Sequence, residues 1–350
     1  MQNKSTFTEQ INAAQHLAMQ KDTSMLAMGL GINDPKAIFN TTAGLTKAFG
    51  EERVLDIPTS ENAMTGVGIG AAIAGSRVLM THQRVDFFLL AMDQLVNNAA
   101  KWHYMFNGTM NVPLTIRLII GRGWGQGPTH QQSLQSWFTH IPGLKVVVPS
   151  LADNVGQLLY SAIMDNNPTI FLEHRWLHNQ QCISDKCVDI TAKPANTRVV
   201  RKGKNLTLIS NSYMLLEVLK AADELQKSGV SCDVLDLCNP SHIDWQVIYE
   251  SVGKTGLCLI ADMGHVDFSV SSEVSAKVTE NCFKHLLFPP VRLGLPRYPE
   301  PTSFALTKDY YPTADDVLNS VSKHFDINIP NRIPKPELHD IPGDWFKGPF

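Results

Sequence analysis

Val54-Leu55-Asp56-Ile57-Pro58-Thr59-Ser60-Glu61-Asn62, followed closely by Gly66-Val67-Gly68-Ile69-Gly70-Ala71-Ala72, decides the fold. The first four residues read as a strand, and residues 63–74 read as a helix whose glycines and alanines let it pack closely. Glu61 therefore falls just past a strand end. Open α/β sheets bind ligands outside the carboxyl ends of their strands, so a site is expected here on architecture alone. Taken in isolation, a glutamate near a first helical turn is also the ordinary partner of a helix dipole. A second strand end carries a second candidate. Residues 114–120 form a strong β run that leads into Gly121-Arg122-Gly123-Trp124-Gly125-Gln126-Gly127-Pro128-Thr129-His130-Gln131-Gln132, a glycine-rich loop that delivers His130. A carboxylate and an imidazole on two strand ends point to chemistry.

Outward from these two segments, strands and helices alternate. An amphipathic helix is expected over residues 6–19, with Ile11, Ala14, Leu17 and Ala18 on one face and Thr6 or Thr8 as its cap. Strands are expected at 24–29, 77–80, 145–148 and 169–173, and helices at 40–49, 87–104, 134–138 and 153–165. Such alternation implies a parallel sheet covered on both faces. Residues 179–204 lack sustained periodicity and read as a connection, after which a second α/β unit runs from 206 to a last strand at 289–293. The expected organisation is a helix at 1–22, an α/β domain at 23–180, a linker at 181–204, a second α/β domain at 205–328 and a Pro-rich tail at 329–350. The aromatics Trp345, Phe346 and Phe350 suit that tail to wrapping a subunit surface, with a disordered end as the alternative.

Composition narrows the function classes. A chain of 350 residues with 43% hydrophobic and 18% charged residues has material for two cores, and its formal charge of −3 gives no basic footprint for nucleic acid or an anionic membrane. No apolar run reaches membrane-spanning length and residues 1–20 lack the apolar centre of a secretory signal, so a cytoplasmic location is expected. Of six cysteines only Cys182 and Cys187 lie close together, without a second pair to complete a zinc site. Free, reduced thiols are the expectation.

Several segments, taken in order, carry a family resemblance. Asp56-Ile57-Pro58-Thr59-Ser60-Glu61, Ala91-Met92-Asp93-Gln94-Leu95-Val96-Asn97-Asn98, Thr129-His130-Gln131-Gln132, Pro142-Gly143-Leu144-Lys145 and Asp165-Asn166-Asn167-Pro168 resemble the β subunit of thiamine-diphosphate-dependent 2-oxoacid dehydrogenases, in the transketolase-like superfamily. The resemblance implies two parallel-sheet α/β domains, a pyrimidine-type thiamine-diphosphate-binding fold followed by a transketolase C-terminal-like domain. It implies that Glu61 hydrogen-bonds the aminopyrimidine ring of the cofactor and favours its imino tautomer, and that His130 faces the reacting centre. Phe87 matches a phenylalanine that packs on that ring, and Gln83 falls at another cofactor-pocket position. Leu114, Ala162, Ile163, Asp165 and Asn167 match positions that hold a structural potassium ion in some relatives, although Asp165-Asn166-Asn167-Pro168 is also an ordinary turn.

Departures from the family pattern sharpen the reading. The chain has no Gly-Asp-Gly with a downstream Asn-Asn to hold magnesium and diphosphate. The resemblance therefore implies a separate α subunit that carries Mg2+, an active site between the two chains, and an α2β2 assembly. His130-Gln131-Gln132 replaces the family's His-Ser-Gln, Gly29-Leu30-Gly31 lacks the usual acidic pair, and Leu237-Cys238-Asn239 replaces Leu-Arg-Thr. His82 and Arg84 add polar groups near the expected pocket and hint at a polar substrate, with surface placement fitting equally well. The implied activity is decarboxylation of pyruvate or a related 2-oxo acid with acyl transfer to lipoamide on a lipoyl acyltransferase. The alternatives are a transketolase-like or carboligase half enzyme that uses an aldehyde or sugar acceptor, and a non-catalytic assembly subunit.

Overall fold

The computed structural model describes residues 4–122, 126–184, 187–330, 332–334, 341 and 346. The chain divides into two compact units. The first opens with α1 (Phe7–Lys21), whose cap is Thr6: its hydroxyl accepts from the Glu9 amide at 3.2 Å while the Glu9 carboxylate accepts from the Thr6 amide at 2.7 Å. There follow β1 (Leu26–Gly29), α2 (Leu45–Phe49), β2 (Val54–Asp56), α3 (Glu61–Ile73), β3 (Val78–His82), α4 (Val85–Phe88) and α5 (Ala100–Met105). The unit is completed by β4 (Leu114–Ile120), α6 (Gln135–Thr139), β5 (Lys145–Val147), α7 (Ala152–Ile163) and β6 (Thr169–His174).

All six strands pair in parallel, in the order β2-β1-β3-β4-β6-β5. Every residue of β3, β4 and β6 is buried, the expected state of parallel strands with helices on both faces. Met80, Ile116 and Leu118 of the sheet pack with Phe88, Leu95 and Phe138 in the core beneath α3 and the segment after it.

Two expected helices are shorter than the sequence suggests. In place of a helix over 40–49, only Leu45–Phe49 is helical, because Ala37, Ile38, Phe39 and Asn40 wind through positive φ first. There the Thr41 and Thr42 hydroxyls donate to the Ile38 and Ile32 carbonyls, a local alternative to the helical ladder. The long helix expected over 87–104 is broken: α4 passes through a 3-10 turn at Leu89–Ala91 and a π-helical segment at Gln94–Ala99 before α5. The π segment keeps Leu95 and Ala99 inward while Asn97 and Asn98 donate back to Asp93 and Gln94.

The second unit holds β7 (Thr197–Arg201), β8 (Leu206–Ser210), α8 (Met214–Lys227), β9 (Cys232–Leu237), α9 (Trp245–Thr255), β10 (Cys258–His265), α10 (Val270–Cys282), β11 (Val291–Leu295), α11 (Phe304–Thr307) and α12 (Ala314–Phe325). Its sheet runs β11-β10-β8-β9-β7, with β7 antiparallel to β9. The stretch at 181–204 is thus more than a connection, since it contains an edge strand. Only Thr197 of β7 is buried, which explains why no apolar alternation announces it. Helix α12 also escaped the sequence reading. Its Val317, Leu318, Val321 and Phe325 are buried, and its first turn is held by Glu217 of α8, which accepts from the Ala314 amide at 2.9 Å.

The expectation of six free thiols is corrected: Cys182 and Cys187 form a disulfide, with Cα atoms 6.4 Å apart. Asp153 gathers the two ends of that loop, its carboxylate accepting from the Ile183 and Ser184 amides and its carbonyl from the Val188 amide. The other four cysteines are free and buried. From the tail, Phe346 is buried against Trp176 at 6.3 Å between ring centroids, while Trp345 and Phe350 lie outside the described residues. Among the described residues, no helix is long and apolar enough to cross a membrane.

Candidate active site

The ends of β1, β2 and β3 build one small pocket. The carboxylate of Asp56, which closes β2, accepts from the Gly31 amide at 2.8 Å and so ties that strand end to the turn after β1. Gly31 adopts φ +70°, and a Cβ there would stand 2.7 Å from the Asp34 carboxylate, so only glycine suits this turn. Pro58, Thr59 and Ser60 then carry the chain into α3, whose first residue is Glu61. Glu61 lines the pocket together with Thr59, His82 and Gln83, between apolar walls supplied by Leu30, Ile57, Pro58 and Phe87.

The other strand end meets this pocket through one ring. Phe87 in α4, 37% exposed, meets the imidazole of His130 edge to face, with centroids 5.2 Å apart and planes at 89°. Gln132 fixes the histidine loop above α4: its side-chain amide donates to Asp86 at 2.7 Å, and its carbonyl accepts from the Gly121 amide at 3.2 Å. Thr129 Oγ1 lies 3.0 Å from His130 Nδ1. Within the same loop, Gly123, Trp124 and Gly125 lie outside the described residues.

Gln83 and His82 differ in what they leave open. The Gln83 amide nitrogen donates to the Leu30 carbonyl at 2.8 Å, which leaves Oε1 and a second N–H for a guest. His82 ends β3 at 6% exposure, and its Nε2 has no hydrogen-bond partner among the described residues. Burial pushes its pKa down to about 4, so the imidazole is neutral at pH 7. Surface placement, which the sequence allowed for His82 and Arg84, does not occur: Arg84 is only 4% exposed. Its pKa falls to about 10 through burial, opposed by Asp86, and it stays charged.

The residues expected around potassium lie elsewhere, where β4 begins and α7 ends. The carbonyls of Ile163 and Asp165 both accept from Arg77 Nη1 at 2.7 Å, Asn166 Oδ1 accepts from Nη2 at 3.1 Å, and the Ala162 carbonyl accepts from Thr115. Leu114 is buried at the start of β4, and the Asn167 amide donates to the Asp165 carboxylate, which also pairs with Lys145 at 3.1 Å. Within the chain, the cation at this corner is the Arg77 guanidinium.

One group of charges went unread in the sequence: His174, Arg175 and Arg122, all buried. Arg122 lies over Trp176 at 4.0 Å and Arg175 over Phe39 at 4.3 Å. Burial first, then Arg122, keeps the His174 pKa well below its usual value, and its Nδ1 accepts from the Trp176 amide at 3.1 Å. The signal was the unusual density of Glu173-His174-Arg175-Trp176-Leu177-His178 directly after a fully buried strand.

Comparison with known proteins agrees with this geometry. Residues 3–180 match the transketolase pyrimidine-binding domain family, and residues 195–317 match the transketolase C-terminal domain family. The chain is 33% identical over 316 residues, 90% of its length and 69% of the relative's, to the pyruvate dehydrogenase E1 component subunit beta of Rhizobium meliloti. The chain belongs to the β subunits of the 2-oxoacid dehydrogenase E1 family. Other E1 β relatives include the 2-oxoisovalerate dehydrogenase subunit beta of Bacillus subtilis, 34% identical over 84% of this chain and 90% of the relative. The acetoin:2,6-dichlorophenolindophenol oxidoreductase subunit beta of Cupriavidus necator is 34% identical, over 89% of this chain and 95% of the relative. A split-gene transketolase, solved as an inactive β4 tetramer, superposes with a TM-score of 0.73 at 19% identity over 93% of this chain and 99% of its own, a likeness of fold.

Proposed function

We propose that this E1 β subunit lends the aminopyrimidine half of a thiamine-diphosphate site, which an α subunit completes with the ligands of diphosphate and Mg2+ in an α2β2 assembly. The enzyme so formed decarboxylates a 2-oxo acid and passes the acyl group to lipoamide on a lipoyl acyltransferase. One observation carries the reading: Glu61, Gln83 and Phe87 line a single pocket at the strand ends, with His130 touching Phe87 at its edge. The lining suits a flat heteroaromatic ring, having apolar side chains for its faces and polar atoms of Glu61 and Gln83 for its edge.

When bound, thiamine diphosphate supplies a carbanion that adds to a carbonyl carbon and an electron sink for cleavage of the adjacent bond. The chain's own residues do the rest. The Glu61 carboxyl exchanges a proton with a ring nitrogen, Phe87 packs on the ring, and Leu30, Ile57 and Pro58 exclude water from it. His130, with Nδ1 beside the Thr129 hydroxyl, has Nε2 available for the substrate carboxylate. The potassium ion stays part of the proposal at the corner of Leu114, Ala162, Ile163, Asp165 and Asn167, since a carbonyl oxygen that accepts from Arg77 or Thr115 keeps a second lone pair.

The relatives are named for different donors, pyruvate, 2-oxoisovalerate and acetoin, so the donor is a matter for assay. The test is the complex with its α partner, bearing Glu61→Gln and supplied with thiamine diphosphate and Mg2+. Loss of a general acid-base group predicts a fall in kcat of roughly 10²–10⁴-fold. A variant that keeps full activity overturns the reading. Acylation of a lipoyl domain, measured against condensation with an aldehyde, separates the dehydrogenase from a carboligase.

A further inference from the structure

His82 lines the pocket, and the reaction described above gives its side-chain nitrogen no task. His82 Nε2 is buried and has no hydrogen-bond partner among the described residues. Its surroundings do not call for a histidine: Leu30, Ile57 and Phe87 line the same pocket, and Phe88 meets the imidazole ring at 5.1 Å. A buried nitrogen without a partner destabilises the fold, whereas an apolar ring of similar shape would fill the space at no such cost. Gln83 beside it turns its amide nitrogen to the Leu30 carbonyl at 2.8 Å and makes no hydrogen bond to His82 Nε2.

We propose that His82 Nε2 hydrogen-bonds the aminopyrimidine ring, so that the ring edge is gripped by His82 as well as by Glu61. This rests on the thiamine-diphosphate reading of the pocket. An aminopyrimidine edge offers an amino donor and ring-nitrogen acceptors, and a neutral imidazole nitrogen can answer either kind according to its tautomer. Neutrality is built in, since burial holds the His82 pKa near 4. An imidazolium in this position would set a positive charge against the protonated form of the ring that Glu61 favours.

The experiment titrates thiamine diphosphate with Mg2+ into the α/β complex by calorimetry, for the wild type, His82→Phe and His82→Leu. A second probe is an analogue in which a benzene ring of the same size replaces the pyrimidine. Loss of one otherwise satisfied buried hydrogen bond predicts about tenfold weaker binding of thiamine diphosphate by both variants. The analogue, which lacks the hydrogen-bonding edge, is expected to bind wild type and variants alike. Unchanged affinity for thiamine diphosphate overturns the proposal, and so does an equal loss for both probes, which would make the effect one of packing. A raised KM for the 2-oxo acid with unchanged cofactor affinity overturns it in favour of a substrate contact. Using leucine as well as phenylalanine guards against one variant crowding Phe88. If the proposal fails while Glu61→Gln still abolishes activity, the functional reading stands. If the wild-type complex binds no thiamine diphosphate, that reading falls first.

Discussion

Arg77 and His82 stand five residues apart at opposite ends of the same strand, and they are treated in opposite ways. At the amino end, Arg77 is fastened on all sides: Nε donates to Asp22 at 3.0 Å, Nη1 to the Ile163 and Asp165 carbonyls, and Nη2 to Asn166. Its hydrogen bonds knit α1, α7 and β3 into one corner. At the carboxyl end, His82 is as deeply buried as the sheet itself, yet its Nε2 is left without a partner among the described residues. The contrast separates polar groups that hold the fold from polar groups kept for a guest. In this pair the structural group is saturated by the chain, whereas the site group is positioned by it and left open.

The largest effect should come from the open end. Glu61→Gln is expected to lower kcat of the complex by at least about 100-fold while leaving the unfolding midpoint of the chain nearly unchanged, because this half-buried side chain joins no hydrogen-bond network among the described residues. The reverse signature is expected in the middle of the sheet. Arg117 is fully buried and donates to Glu173 at 2.6 Å and to Gln15 at 3.1 Å. Burial alone would raise the Glu173 carboxyl, but Arg117 and His178 hold it below the ordinary carboxylate range. Arg117→Met leaves that charge without its main partner and is expected to cost about 3–5 kcal/mol of stability, measured by urea unfolding. An intermediate cost, about 2 kcal/mol, is expected for Arg77→Ala, which strips two part-buried carbonyls of a charged donor at a corner only partly screened by water. A drop in kcat without a drop in stability for Arg77→Ala would erase the distinction between the two ends.

How much of this was legible follows from what each feature depends on. Glu61 could be placed just past a strand end from the order of strand and helix, whereas Gln83 and Phe87 were named by the family resemblance, which the order of matching segments preserves in the sequence. The saturated corner could not be read. Arg77 meets Asp165 across 88 residues of sequence, and nothing in Asp165-Asn166-Asn167-Pro168 announces that a guanidinium docks there. The π segment at Gln94–Ala99 was hidden because inserting one residue into a helical turn leaves the apolar spacing helix-like. The disulfide depended on Asp153 drawing two loop ends together, a contact that cysteine spacing alone does not reveal.

The smallest and most general test uses protons. His82 and His178 have pKa values near 4 in the folded chain, and burial leads in both cases, with Glu173 partly opposing it at His178. In the unfolded chain a histidine titrates near 6.5. Between about pH 6.5 and 4 the unfolded state therefore binds more protons than the folded one, so stability must fall as the solution is acidified. Each such histidine contributes a slope of up to about 1.4 kcal/mol per pH unit inside that window and none above it. Urea unfolding of wild type and His82→Phe at pH 7, 6 and 5 should give curves whose separation shifts by roughly that amount per unit, with the wild type losing stability faster. The sign matters for the comparison of the two ends: an open site residue that must stay neutral makes the fold acid-sensitive. If His82→Phe leaves the pH slope unchanged, the imidazole is already protonated or solvated in the folded chain, and the carboxyl end of β3 is no more open than the amino end.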